Sequence, residues 1–573
     1  MRSFFRIMLA TSAVWAGSTF LPATARACGG FFCNPAQPVN QAAEGVIFAD
    51  NGDGTTTAVI QIQYQGPAQN FSWLLPISSV PKSDDDIGIA SNVALQRLQS
   101  ATNPNYSLTL RVQGTCREPS GGGSGCGAAD SRSFASGARG PSQVDPSTPE
   151  VVVEASGVVG AFEWSVISLD QTLSDPARSA QDWLQANGYD VPSGAPALLG
   201  PYLKQGMFLL ALRLTKGADT GSIRPIVLTY TGTQPSIPVK LTAVAANDDM
   251  GVLTWVLGKS RAVPLNYLSL ELNEARINWF NATSSYNALV TEAANDAGGQ
   301  GFVTELAGPT SRLAGQIWTS ADQTNWNILT QQGLAGTTLF QAALGTFGQW
   351  DGFWDATRAA VTIPNGQSID ALKLCPSCYS VELSPARYLD ELSKFVIEPV
   401  QRVQRLIDAH PEITRLYTTL SADEMTLDPL FGFNQDLPDL SNVHTAERVI
   451  VCSPDVYQSD APWHVTLPGG SEVWGANSSG AWPTELSTLP PTRTISRASE
   501  SGEGKVVEDN SQAIESALSK LNAEKSAAAD AGGGCAASPA RSRGAWISAA
   551  VFGAALLRRR RRLARERTKI RVV

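Results

Sequence analysis

The stretch LTAVAANDDMGVLTWVLGKSRAVPLNYLSLELNEARINWF, residues 241–280, decides the fold of this chain. Its apolar runs on either side of Asn247-Asp248-Asp249 are too long for a surface segment and too often interrupted by polar residues to cross a bilayer. Strand-like patterns precede it and helical patterns dominate after it. We interpret residues 241–280 as the central core and predict an α+β fold, with antiparallel hairpins in a β-rich N-terminal half and a helix-richer C-terminal half.

Composition indicates a folded, acidic body. Of the 573 residues, 43% are apolar and 17% are charged, which is typical of a globular protein and excludes wholesale disorder. Residues 28–540 hold 29 Lys and Arg against 51 Asp and Glu, a net charge near −22. Such a surface repels polyanions, so we expect that the folded part binds neither nucleic acid nor anionic membrane.

The first 27 residues have the pattern of a secretory signal peptide. Arg2 and Arg6 precede a mostly apolar run over residues 7–21, and Ala25-Arg26-Ala27 is an A-x-A cleavage site. Cys28 follows the expected cut after Ala27, as it does in lipoproteins. An arginine does not fit a lipobox, so ordinary cleavage is favoured.

The C-terminus predicts an anchor. Cys535 follows three glycines and precedes a mostly apolar segment, residues 545–557, which is short for a spanning helix. Next come five consecutive arginines, Arg558, Arg559, Arg560, Arg561 and Arg562. These would hold the end in the cytoplasm during export. The order resembles myxobacterial sorting tails, which implies cleavage near Cys535, lipidation of its thiol and display at the cell surface. The expected partners are the membrane, through this tail, and the export and sorting machinery.

The chain divides by composition into five predicted sections. They are a signal peptide (1–27), a β-rich domain (28–250) with a Gly/Ser-rich insertion (117–149), an α+β domain (251–465), a low-complexity linker or flexible stalk (466–534), and a short hydrophobic anchor or sorting tail (535–573). The stalk prediction rests on a composition rich in Ser, Pro, Glu and Ala, most marked after residue 487.

Local patterns predict particular elements within these sections. Strand-like residues flank Asp50-Asn51-Gly52-Asp53-Gly54, which predicts a hairpin; a plain turn is favoured over a calcium loop because further ligands are lacking. Asp175-Pro176 predicts a helix start, and Asn187-Gly188 its end. Residues 384–409 show the strongest helical periodicity, with Pro399 expected to kink the helix.

Export predicts that the cysteines form disulfides. We expect pairs Cys28–Cys33 and Cys116–Cys126, and a bond from Cys375 to either Cys378 or Cys452. A redox-active C-x-x-C is the alternative for Cys375 and Cys378, but no thioredoxin-like strand–motif–helix pattern surrounds them. Zinc would need further ligands, so neither a metal site nor a cofactor is predicted.

No catalytic motif is evident. A Ser–His–Asp triad would have to use His410, His444 or His464, yet no G-x-S-x-G sequence supplies a nucleophile. For His444 a structural hydrogen-bonding role is favoured. Neither a phosphate-binding loop nor a dinucleotide motif is present.

Several separated segments resemble one family. They are Ala27 to Cys33, Gly188 to Pro192, Pro201-Tyr202, Ile237 to Ala246, Asn266-Tyr267, Glu271 to Arg276, Gly301 to Glu305, Cys375 to Cys378, Arg415 to Thr419, Met425 to Pro429 and Ser441 to His444. Together they resemble the bacterial domain of unknown function 2330, from about residue 27 to 465. The resemblance implies an exported bacterial protein of unassigned activity and transfers no catalytic residue.

The sequence thus predicts an exported cell-envelope protein that acts as a non-catalytic binding or structural surface module, with an envelope or extracellular ligand that the residues do not identify. The alternative is a secreted hydrolase or thiol redox enzyme that uses His444 or the pair Cys375 and Cys378.

Overall fold

The computed structural model describes residues 41–62, 71–82, 86–117, 151–189, 191, 194–215, 223–243 and 246–531. The predicted signal peptide, the insertion after residue 117, the cysteines at 28, 33, 126 and 535, and the C-terminal apolar and arginine segments lie outside these ranges. The fold is α+β, with a β-rich N-terminal half and helices concentrated toward the C-terminal half.

The strands are β1 (Gln41–Asp50), β2 (Thr55–Ile62), β3 (Ser72–Ile77), β4 (Ile87–Ile89), β5 (Asn105–Gln113), β6 (Val151–Val159), β7 (Phe162–Leu169), β8 (Phe208–Leu214), β9 (Ile226–Thr231), β10 (Ala246–Gly258), β11 (Arg261–Pro264), β12 (Leu268–Leu272), β13 (Gly301–Pro309), β14 (Val361–Thr362), β15 (Glu382–Leu383), β16 (Glu412–Leu420), β17 (Phe431–Asn434), β18 (Val443–Val451), β19 (Trp463–Thr466), β20 (Glu472–Gly475), β21 (Thr492–Arg497) and β22 (Lys505–Asp509). The helices are α1 (Asn92–Thr102), α2 (Pro176–Ala186), α3 (Ala195–Lys204), α4 (Val239–Thr242), α5 (Thr283–Asp296), α6 (Ser320–Gln331), α7 (Gly336–Phe347), α8 (Phe353–Ala360), α9 (Ile369–Leu374), α10 (Pro385–Leu392), α11 (Glu398–Asp408) and α12 (Ser511–Ala531).

A ten-stranded sheet forms the centre, in the order β22-β21-β12-β13-β16-β10-β1-β2-β9-β4. Strand β10, which lies within residues 241–280, pairs parallel with β1 and antiparallel with β16. Its side chains alternate between two buried cores: Val252 and Val256 face one, Trp255 and Leu257 the other. Because both faces of the strand are covered, it is apolar over most of its length. The prediction of a central core here is confirmed.

Two four-stranded sheets pack around this centre. The sheet β3-β8-β7-β6 places Leu210 and Leu212 against the central sheet and Leu209 and Ala211 against α2 and α3. The sheet β20-β19-β18-β5 shares a separate apolar core with α12, around the fully buried Trp463.

Helices α1 and α11 cover the opposite face of the central sheet, and α6 to α10 share a further apolar core. Val400, Val403 and Ile407 of α11 lie against the core that contains Trp255. A π-helical turn, Ser393–Ile397, joins α10 to α11 just before Pro399, the residue at which a kink was predicted.

Two local predictions are confirmed. The backbone register pairs β1 with β2 around the predicted Asn-Gly-Asp-Gly turn. Helix α2 begins after Asp175, whose carboxylate accepts a hydrogen bond from the Arg178 backbone N–H, and it ends at Asn187.

The predicted boundary between residues 250 and 251 is wrong, because it falls inside β10. Strands from both sides of that boundary hydrogen-bond in the same ten-stranded sheet. Residues 41–62 and 412–420 contribute neighbours of the same strand, so the two predicted domains share one core.

The stalk prediction for residues 466–534 is also wrong over the described residues up to 531. Strands β21 and β22 extend the central sheet beyond β12, and α12 packs on β20. Ile495, Ile514, Leu518 and Leu521 are buried. A polar average composition concealed enough correctly spaced apolar residues to order the segment.

A disulfide joins Cys116 to Cys452, which are 336 residues apart in sequence. The predicted Cys116–Cys126 pair is therefore wrong, as is a Cys375–Cys452 bond. Parallel pairing of β5 with β18 brings the two chain segments together, with their Cα atoms 4.7 Å apart. Cys375 is bonded to Cys378, one of the two expected partners.

None of the helices in the described ranges is long and apolar enough to span a membrane.

Candidate functional site

A cavity of about 620 Å³ opens between the central sheet and the sheet β3-β8-β7-β6. Its floor is apolar because β1, β2 and β3 turn branched and aromatic side chains into it. These residues are Val46, Phe48, Ala58, Ile60, Leu75 and Ile77. The volume and the apolar lining are typical of small-molecule sites.

One side of the cavity carries a polar cluster centred on Asp428. The Tyr202 hydroxyl donates to Asp428 Oδ2 at 2.7 Å, and the Lys240 backbone N–H donates to Oδ1 at 3.0 Å. The Lys240 ammonium lies 3.8 Å from Oδ2, an ion-pair distance that is too long for a hydrogen bond. Both carboxylate oxygens are therefore occupied by protein donors.

Asn266 fixes the loop that carries this carboxylate. Its Nδ2 donates to the Asp428 carbonyl at 2.7 Å, and its Oδ1 accepts from the Leu430 backbone N–H at 2.8 Å. These two contacts hold the backbone on either side of Pro429. These protein hydrogen bonds consequently set the position of the Asp428 side chain.

Two tyrosines at the cavity differ in their hydrogen bonding. Burial, followed by the adjacent charge of Asp428, raises the pKa of Tyr202 above its usual value, so the phenol remains the donor. Burial also raises the pKa of Tyr230. The Tyr230 hydroxyl has no hydrogen-bond partner among the described residues, and its side chain lines the cavity.

The cavity has an accessible mouth. Exposed residues at its edge are Ser78, Pro201, Gln205, Thr231, Gly232, Thr233 and Gln234. Met207, which is half-buried, also lines the cavity.

The histidines singled out by the sequence do not line this cavity. His410 is buried, and its ring nitrogens lie 2.8 Å from the Leu406 carbonyl and 3.0 Å from the Asp50 carbonyl, which ties α11 to β1. His464 stacks on Trp474 with ring centroids 4.8 Å apart. The contacts of both histidines are therefore with the surrounding protein and are typical of a structural role.

His444 has a carboxylate partner and not the backbone partners of a simple turn residue. Its Nδ1 lies 2.7 Å from Glu274 Oε1, and its ring stacks on Tyr106 at 4.5 Å. In the part of the chain that the structure describes, no hydroxyl or thiol nucleophile hydrogen-bonds its Nε2. The geometry supports an oriented imidazole without a reacting partner.

The Cys375–Cys378 disulfide lies at the C-terminal end of α9, where Cys375 is the C-cap. Thiolates are favoured at helix N-termini, so this placement lacks the electrostatic help that redox-active C-x-x-C motifs receive.

The acidic residues considered for metal binding serve the backbone. Asp50 and Asp53 accept hydrogen bonds within their own turn, from the Gly52 N–H and from Thr55. Over the described ranges, no group of three or more His, Cys, Asp or Glu is placed to hold a metal ion.

Sequence patterns alone did not identify the cavity residues, yet a signal for them existed. Tyr202, Lys240, Asn266 and Asp428 each lie in a segment that carries the family resemblance, at Pro201-Tyr202, Ile237 to Ala246, Asn266-Tyr267 and Met425 to Pro429. The fold brings these four distant segments together on one side of one cavity.

Comparison with known proteins places the chain in a family. The profile of the DUF2330 family, whose description is an uncharacterized protein conserved in bacteria, matches residues 22–315. This range contains three of the four cavity segments; Asp428 and the other resembling segments after residue 315 lie beyond it. No curated protein and no solved structure matches the chain. Because the match covers more than half of the 573 residues, the chain belongs to the DUF2330 family.

Proposed function

We propose that this chain is an exported bacterial cell-envelope protein whose folded body binds an apolar small molecule without transforming it. The observation that carries the proposal is the cavity of about 620 Å³, with an apolar floor and a mouth of exposed polar residues. A site of this form gains affinity from removal of apolar ligand surface from water.

The rigidity of the surrounding structure favours binding. The floor comes from the paired strands β1 and β2 and from β3, which pairs with β8. The Asp428 loop is held by Asn266 on both sides. A preformed cavity lowers the conformational cost of association, because few side chains need to be ordered when the ligand enters.

The same contacts argue against catalysis at this cavity. A general base must be directed at the substrate, within hydrogen-bond reach of the proton that it removes. Both oxygens of Asp428 instead accept protein hydrogen bonds, from Tyr202 and from the Lys240 backbone.

The enzyme alternative is less well supported at its other two positions. His444 is oriented by Glu274 but lies outside the cavity, and Cys375 and Cys378 are disulfide-bonded at the wrong end of a helix for thiolate activation. If the native protein shows hydrolase or thiol–disulfide exchange activity, and His444→Ala or Cys375→Ser abolishes it, the enzyme alternative would be favoured over binding.

Export is supported by the two disulfides, which are typical of proteins from oxidising compartments, and by the sequence patterns at both ends. We expect the mature form to begin at Cys28, to end at a lipidated Cys535 and to fractionate with the cell surface. Intact-mass analysis of the fractionated protein tests this. A surface form that ends at Val573 with an unmodified Cys535 would contradict the sorting proposal.

The binding proposal is tested by narrowing the cavity. Met207→Trp enlarges a side chain that lines the cavity, whereas Met207→Leu keeps the volume of that side chain nearly constant. Titration with an environment-sensitive apolar fluorophore should give saturable binding to the native protein and to Met207→Leu. Met207→Trp should weaken binding by roughly tenfold or more.

Circular dichroism and the thermal midpoint of each variant control for misfolding. Equal fluorophore affinity in Met207→Trp and the native protein would overturn the proposed site, and absence of saturable binding in the native protein would overturn the function.

A further inference from the structure

The polar atoms of the cavity divide into acceptors that are engaged and donors that are not. Asp428, the one carboxylate among the described residues that line the cavity, already accepts from Tyr202 and from the Lys240 backbone. Each of its oxygens is therefore already turned toward a protein donor, and the Lys240 ammonium at 3.8 Å balances its charge.

Lys240 supplies donors that are not hydrogen-bonded, on an ammonium that is ion-paired with Asp428 at 3.8 Å. Its ammonium carries three N–H donors, and within the described ranges none of them reaches an acceptor at hydrogen-bond distance. Its side chain is 34% exposed and lines the cavity, so the ammonium is accessible to an incoming molecule.

Tyr230 supplies a second unused donor. Its phenol lines the cavity, and no described residue hydrogen-bonds to it. A hydroxyl in such surroundings costs about 1–3 kcal/mol if it remains unsatisfied when water is displaced. A bound molecule with an acceptor group would remove that cost.

Charge and shape together select a class of ligand. The apolar floor formed by β1, β2 and β3 suits a hydrocarbon chain, and the free donors suit an anionic acceptor group. A cationic head would have to compete with the Lys240 ammonium and with two protein donors for Asp428. An anionic head would instead accept from N–H groups that have no hydrogen-bond acceptor among the described residues.

We propose that the ligand is a single-chain amphiphile with a carboxylate head, that Lys240 binds this head by a charge-assisted hydrogen bond, and that the alkyl chain lies on the apolar floor. This inference rests on the proposed binding function and specifies its ligand class.

Calorimetric titration of the native protein tests the inference with probes that differ in one feature. Octanoate, decanoate and laurate vary the chain, and we expect each added methylene to tighten Kd by roughly fourfold. Methyl laurate and dodecylammonium vary the head at constant chain length. Laurate should bind at least about tenfold more tightly than either.

Variants of Lys240 assign the head-group contact. Lys240→Met keeps the apolar stem and the backbone N–H that Asp428 accepts, so the loop should stay in place. It should reduce laurate affinity to that of methyl laurate, while the matched variant Lys240→Arg should retain the preference for the carboxylate. Tyr230→Phe should weaken laurate and methyl laurate alike.

The outcomes separate this inference from the proposed function. Saturable binding of methyl laurate or dodecylammonium as tight as that of laurate would overturn the carboxylate inference and leave the apolar site standing. An unchanged laurate preference in Lys240→Met would overturn the role of Lys240. Failure of every probe to bind would overturn the proposed function itself.

Discussion

Asp322 concentrates three stabilising contacts on one carboxylate at the start of α6. It accepts from the backbone and hydroxyl of Thr319, at 2.8 and 2.7 Å, and pairs with Arg97 at 2.6 Å. Burial acts to raise the pKa of Asp322, but the hydrogen bonds from Arg97 and Thr319 outweigh it and hold the pKa below its usual value.

A lowered pKa in the folded state makes this contribution pH-dependent. The stabilisation is fully present above the pKa of the unfolded state, which is about 3.9. It is lost as the pH falls through the lower pKa of the folded state. We expect Asp322→Ala to lower the free energy of unfolding by about 2–4 kcal/mol at pH 7. The difference from the native protein should shrink progressively below about pH 4.

Urea unfolding from pH 3 to pH 7 measures this, with Asp182→Ala as the matched control. Asp182 pairs with Arg178 on an exposed helix face, so its loss should cost no more than ~0.5 kcal/mol. A destabilisation by Asp322→Ala that is equal at every pH would show that the charge is not the cause.

At the residue scale, the sequence predicts contacts between residues that are close together along the chain and misses those between distant ones. Asp175 as the cap of α2 was predicted because the cap and its helix are adjacent. The Arg97–Asp322 pair and the Cys116–Cys452 disulfide join residues 225 and 336 positions apart, and no local pattern encodes such partners.

At the scale of elements, periodicity succeeded where one face is strongly apolar. The helical region that became α10 and α11 was predicted for that reason, whereas β10 lies in a stretch that was recognised by the length of its apolar runs. The failure at residues 466–534 came from averaging composition. Ile514, Leu518 and Leu521 recur at helical spacing, and this narrow apolar stripe packs α12 into the core around Trp463.

The role of α12 is testable with two neighbouring substitutions. Leu518 is 2% exposed, whereas Ser519 faces solvent. Leu518→Asp would bury an unpaired charge, so we expect α12 to detach and residues 466–531 to become the first site of limited proteolysis. Ser519→Asp should be cut no faster than the native protein. First cleavage of the native protein within residues 466–531 would restore the stalk interpretation.

At the scale of the whole molecule, the cavity could not be predicted because it belongs to no single segment. Its polar side joins residues 202, 240, 266 and 428, and its floor joins strands from two sheets. Only the order β10-β1-β2 in the centre, with β3 packed opposite, brings these parts together. The family resemblance marked the right segments without indicating that they meet.

The most direct test of the account is native mass spectrometry of the protein purified from cells that produce it without added ligand. We predict a one-to-one complex with an apolar molecule that dissociates on collisional activation, present in the native protein and in Met207→Leu and depleted in Met207→Trp. A mass equal to the bare chain in all three proteins, or the same bound mass in all three, would contradict the claim that this cavity is the functional site.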